Sequence, residues 1–194
     1  MSVIDSYSET NQDSGFTLAT DGSRYAYGQS FTGNGDTLVS ADFYLQKTGS
    51  PTANLTATIY AHSGTFGTDS VPTGSPIATS DTIASSTLST SYGLINFPFS
   101  GANQIVLTNA TTYVLVIQGS FLLGNDVQVG LDTSSPSHAG NFSFDYTNSP
   151  TWFGASSRDL CFYVNGTPPS GHPTMRRFGG VPGMGQGQSF GRSW

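Results

Sequence analysis

Hydrophobic and polar residues alternate along much of this chain with a period of two. The clearest stretch is Thr37–Thr48, where Val39, Ala41, Phe43 and Leu45 alternate with Ser40, Asp42, Tyr44 and Gln46. Neighbouring side chains on an extended chain point to opposite faces, so this run predicts a strand with one face buried and one wet. Residues 54–61 repeat the pattern, with Leu55, Ala57, Ile59 and Ala61 set against Thr56, Thr58 and Tyr60. Thr112–Gly119 is apolar on both faces and predicts a central, doubly covered strand. Further strands are expected at Tyr25–Thr32, 76–79, 91–99, 104–107, Asp126–Asp132, 140–146 and 158–165. Asn34-Gly35-Asp36 and Gly49-Ser50-Pro51 read as turns, and 62–75 reads as a long loop. No segment holds the helical period over three turns. Roughly ten close-spaced strands with turn residues between them predict an all-β antiparallel sandwich or barrel.

Composition supports that reading. Charged residues make up 9% of the 194 residues, against roughly 25% in an average soluble domain. Glu9 and Lys47 stand alone in their types, so the residues that usually coat surface helices are missing. The chain divides into a polar N-terminal segment (1–24), a β domain (25–166) and a glycine-rich tail (167–194). Gly166-Thr167-Pro168-Pro169-Ser170-Gly171 marks the second boundary. So much glycine cannot build a core, and ordering it is entropically costly.

Charge separates the same parts. The net charge is −6, which disfavours general nucleic-acid binding. Every acidic residue precedes position 167, whereas the tail holds Arg176, Arg177 and Arg192 and no acid. Phe178, Phe190 and Trp194 are spaced among those arginines. A solvated tail would serve with less, so the three arginines and three aromatics are the candidate partner-binding residues. No run of about 18 apolar residues occurs, so no membrane span is expected. Met1-Ser2-Val3-Ile4-Asp5 has neither a basic region nor an apolar stretch, so no secretory signal is expected.

The candidates for chemistry are few. Gly187-Gln188-Ser189-Phe190-Gly191 spells a nucleophile-elbow string, but an elbow needs a strand before it and a helix after it. Asp42, Asp126, Asp132, Asp145 and Asp159 are scattered on or beside strands and read as turn and solvent-face aspartates. His62 and His138 read as surface histidines, without zinc-ligand spacing to each other or to Cys161. Cys161, in Leu160-Cys161-Phe162-Tyr163-Val164, reads as a buried structural thiol. No catalytic residue, metal or cofactor is therefore expected. Tyr146, Trp152 and Phe153 flank Thr147-Asn148-Ser149-Pro150-Thr151. They are either an aromatic platform for a glycan or the closure of one end of the core.

One set of motifs is familiar as a whole. It runs through Gln29-Ser30-Phe31-Thr32-Gly33, Ala41-Asp42-Phe43-Tyr44-Leu45, Asn54-Leu55-Thr56-Ala57-Thr58-Ile59-Tyr60-Ala61 and Pro72-Thr73-Gly74. It continues through Leu107-Thr108, Thr112-Tyr113-Val114 and His138-Ala139-Gly140-Asn141, closing on Asp159-Leu160-Cys161-Phe162-Tyr163-Val164. Over about residues 25–166 the chain resembles the jelly-roll-like β-sandwich modules of bacteriophage virion proteins and of bacterial choice-of-anchor surface proteins. The surface members carry a leader and an anchor, which this sequence does not show, so the resemblance favours the phage group. It implies a jelly-roll-like sandwich, to which composition adds the extended glycine-rich tail, in a virion structural protein assembled in the host cytoplasm. Such a protein would decorate the capsid or belong to the tail, with other virion proteins and copies of itself as partners. The alternative, resting on the aromatic residues Tyr146, Trp152 and Phe153, is an adhesive or carbohydrate-binding module facing a host-surface glycan.

Overall fold

The computed structural model describes residues 1–18, 25–145 and 151–169. Fourteen strands are present among them, in two antiparallel sheets packed face to face. The first sheet holds β1 (Ser2–Tyr7), β2 (Ser14–Leu18), β4 (Thr37–Thr48), β8 (Gly93–Pro98), β10 (Asp126–Asp132), β13 (Asp159–Leu160) and β14 (Phe162–Thr167). The second holds β3 (Tyr25–Thr32), β5 (Asn54–Ser63), β6 (Val71–Thr79), β7 (Ile83–Ala84), β9 (Thr112–Gly119), β11 (Phe142–Asp145) and β12 (Trp152–Ala155). From β3 onward the chain crosses repeatedly between the sheets, so strands distant in sequence become neighbours. Such wrapping is what a jelly-roll-like sandwich requires.

The core lies between the sheets. Phe31, Phe43, Phe97, Phe99, Phe142 and Phe162 are fully buried there among leucines and valines of both layers. Each large apolar side chain removed from water contributes about 1.5–3 kcal/mol. On β9 the alternation is visible atom by atom. Leu115 and Ile117 enter this core, while Val114 and Val116 join Ala26 in a second apolar cluster on the outer face.

The N-terminal segment is not separate from the sandwich. β1 pairs with β14 from Ser2↔Gly166 to Tyr7↔Phe162, and β2 pairs with β10. Ser2–Tyr7 reads as polar because Ser2, Asp5 and Ser6 interrupt its apolar residues, yet Tyr7 and Leu18 reach the core. The C-terminal boundary also moves by a residue, since Thr167 still pairs with Thr37.

Other departures have local causes. Val39 does not take an inward position, because a bulge between its neighbours lets Leu38 and Ala41 point inward instead. Residues 104–107 form only an isolated bridge, Thr37↔Val106, rather than a strand. The expected loop at 62–75 is shorter, because β5 and β6 pair as far as Ser63↔Val71 and leave 64–70 as the connection. The short strands β7 and β12 lie in segments too brief to show a period.

Candidate functional site

The β5–β6 hairpin shapes the outer face of the second sheet. Its ladder joins Thr58↔Thr79 and Ile59↔Ala78, then resumes at Ala61↔Thr73. One residue of β5, Tyr60, therefore faces the four residues 74–77 of β6, which swing out of the ladder. Beyond this bulge the hairpin reaches back to β12. It is fastened there by Asn141, a fully buried side chain. Asn141 Nδ2 donates to the Ser70 carbonyl at 3.0 Å, and its Oδ1 accepts from the Ser70 amide at 3.0 Å. Gly154 completes the seat, since a Cβ there would stand 2.5 Å from Asp69 Cα.

Tyr60 and Trp152 meet at the root of this arm. Both are half-buried and pack on the cluster of Ala26, Val114 and Val116. With Pro72, Thr73, Gly74 and Pro76 they line an open groove of about 340 Å³. Beneath it runs the cross-strand row Ser143–Gly28–Val116–Thr58. Gly28 leaves room in that row, where a Cβ would lie 2.6 Å from Ser143 Oγ and 2.9 Å from Val114 Cγ1. Ser143 Oγ and Thr58 Oγ1 are buried in the row without a hydrogen-bond partner among the described residues.

Trp152 and Phe153 do not form one platform. They are adjacent on a strand and so point to opposite faces. Trp152 turns outward to Tyr60, whereas Phe153 stacks on Phe144 with ring centroids 5.7 Å apart. Phe144 stacks in turn on the buried Phe142, so Phe153 closes the edge of the core. Tyr146 lies outside the described residues, as do Arg176, Arg177, Phe178, Phe190, Arg192, Trp194 and the string 187–191. Tyr60 was missed in the sequence because its alternation marked it only as a solvent-face residue.

A second polar cluster lies at the seam between the sheets, around His138. The imidazole is not a surface group: it is nearly buried, edge-on to Tyr7 and Phe162. Its Nδ1 accepts from the Gly140 amide at 3.0 Å and faces the Gln29 Nε2 amide at 3.2 Å. Two donors on Nδ1 place the ring proton on Nε2, which donates to Asp5 Oδ1 at 3.1 Å. The Gln29 orientation follows independently, since its Oε1 accepts from the Leu160 amide and its Nε2 donates to Asp159 Oδ1. Asp159 Oδ2 accepts from the His138 amide at 2.9 Å.

The aspartates expected on turns and solvent faces are therefore partly interior. Asp126, Asp132 and Asp159 are buried, and each accepts at least one backbone or side-chain hydrogen bond. Burial pushes the Asp159 carboxyl above the ordinary range despite those hydrogen bonds. Burial also opposes ionisation of Asp5, but the His138 hydrogen bond and the Thr32 and Ser6 amides outweigh it and hold the carboxyl low. At Asp132 the Ser135 and Ser134 amides and the Tyr7 hydroxyl likewise overcome burial. Cys161 is fully buried, and its thiol is pushed up to about 12 by burial and by surrounding carboxylates.

Comparison of the chain with protein-family models, characterised proteins and solved structures finds no match. Its chemistry is therefore read from the geometry alone. The His138 imidazole has both nitrogens engaged, and the Cys161 thiol is far from the thiolate form a nucleophile needs. The groove is lined by the aromatic side chains of Tyr60 and Trp152 together with Pro72, Thr73, Gly74 and Pro76.

Proposed function

We propose that this chain is a structural protein of a bacteriophage particle, a capsid-decorating or tail-associated component that acts by assembly and not by catalysis. The observation that carries this reading is the division of charge. All acidic residues precede position 167, and the segment that follows has three arginines interleaved with Phe178, Phe190 and Trp194. Exposed Asp13, Asp69 and Asp81 on the sandwich are counter-charges for such a segment. Charge-assisted contacts and buried aromatics would offset the entropy of ordering so much glycine on a neighbouring subunit. Repetition around a symmetric assembly would multiply weak contacts into firm attachment. The resemblance to virion sandwich modules and the low-charge, ladder-rich body agree with this role.

The test compares the full chain, the 1–169 fragment, which retains all of β14, and the full chain with Arg176, Arg177 and Arg192 changed to alanine. Mass in solution and co-sedimentation with purified phage particles are measured. Self-association or particle binding by the full chain, lost in both altered forms, supports the reading. Equal behaviour of all three proteins rejects the role of the tail.

A further inference from the structure

We propose that the groove between Tyr60 and Trp152 is a binding site for a neutral saccharide, independently of whether the chain assembles into particles. The reaching-back of the β5–β6 hairpin brings together residues 92 positions apart, one from β5 and one from β12. The facing groups match a sugar ring. Indole and phenol faces stack on the axial C–H groups of a pyranose, which carry partial positive charge toward the negative face of an aromatic ring. Pro72 and Pro76 add apolar walls.

Polar partners stand at the rim. Thr73 is exposed, and residues 74–77 are exposed and skipped by the ladder to β5. The ladder to β5 thus leaves unused the carbonyls of 74–77 and the amides of Gly74, Ser75 and Ile77, groups of the kind sugar hydroxyls require. No Asp, Glu, His, Lys or Arg lines the groove. A charged ligand would leave its charge uncompensated on entry, whereas a neutral polyol loses nothing by that absence. An apolar surface framed by a few fixed polar groups is the usual form of a small-ligand site.

The experiment uses the full chain carrying Trp194→Phe, so that Trp152 is the remaining tryptophan. Its fluorescence is titrated with neutral gluco-, galacto- and manno-oligosaccharides, with sialylated and sulfated oligosaccharides and a proline-rich peptide as controls. The expected result is a saturable emission change with at least one neutral oligosaccharide at millimolar concentration or below. Isothermal calorimetry of further variants follows, with folding verified by circular dichroism. Trp152→Ala should abolish binding, and the exposed Thr73→Ala should weaken it about threefold or more. No saturable response to any neutral oligosaccharide overturns the proposal. So does binding that survives Trp152→Ala, or a response confined to the acidic glycans or to the peptide. If Trp152→Ala fails to fold, an unchanged affinity in both Thr73→Ala and Tyr60→Leu overturns it instead.

Discussion

His138 Nε2 lies 3.1 Å from Asp5 Oδ1, joining the loop that precedes β11 to the first strand of the chain. The contact sits inside a set of hydrogen bonds that also takes in Gln29, Asp159 and the Leu160 amide. Its members come from β1, β3, β13 and the connection before β11, so it fastens the two sheets to each other at one seam. His138→Ala would take one hydrogen bond from the Asp5 carboxylate, which keeps the Ser6 and Thr32 amides. It would also leave the Gly140 amide without its acceptor and open a void beside Tyr7 and Phe162. We expect it to destabilise the fold by about 2–4 kcal/mol, measured by denaturant unfolding. His138→Gln should recover part of the loss, because it can still donate to Asp5.

Acid should weaken the fold through Asp5 and Asp132. Their folded values lie below the ordinary carboxylate value, so the stability they contribute is present above that value and is lost as pH falls through the folded ones. Asp159 has the opposite sign. Its folded value is raised, so the fold loses stability as pH rises from the ordinary carboxylate value through the raised one. Unfolding free energy should therefore fall steeply below about pH 4. Asp5→Asn should flatten that acid limb. A variant with an unchanged limb would show that Asp5 titrates alike in both states.

Cys161 should be inert to thiol reagents in the folded protein. The thiol is fully buried and titrates at about 12, so at pH 8 the thiolate fraction is on the order of one in ten thousand. Modification by a chromogenic disulfide should follow unfolding and reach one equivalent in denaturant. Rapid native labelling would place the thiol in a far more open environment.

Asn141 fastens the β5–β6 arm with both ends of its amide. Asn141→Asp removes two donors while keeping the size, and should cost about 2–4 kcal/mol. Gly154→Ala presses a methyl group against the Asp69 backbone and should loosen the same contact. Hydrogen exchange at residues 61–73 should rise in both variants before that of β9 does. Uniform change across the chain would mean the arm is not an independent unit.

Much of the sandwich was legible because its strands alternate. Thr37–Thr48 declared its extent and its faces from Ala41 onward, and Thr112–Gly119 declared both and even announced an apolar cluster on each side. The N-terminal strand was not legible, since Ser2–Tyr7 gains its place from pairing with β14 and not from its own apolar content. The site was less visible still. Trp152 was noticed for its type, but its grouping with Phe153 failed because adjacent strand residues face apart. Its true neighbour, Tyr60, comes from a distant strand through a bulge that no local pattern encodes. His138 looked ordinary for the same reason: Asp5 and Gln29 are remote in sequence, and burial by tertiary packing leaves no local mark.

The strand from which the C-terminal segment departs has a mechanical consequence. β14 is held along both edges, by β1 on one side and β4 on the other. Tension drawn through that segment would enter the body at an interior strand, where two rows of hydrogen bonds resist together. A strand at the border could peel away one bond at a time. A subunit tethered through this end would thus pass load into its whole first sheet before any of it gave way.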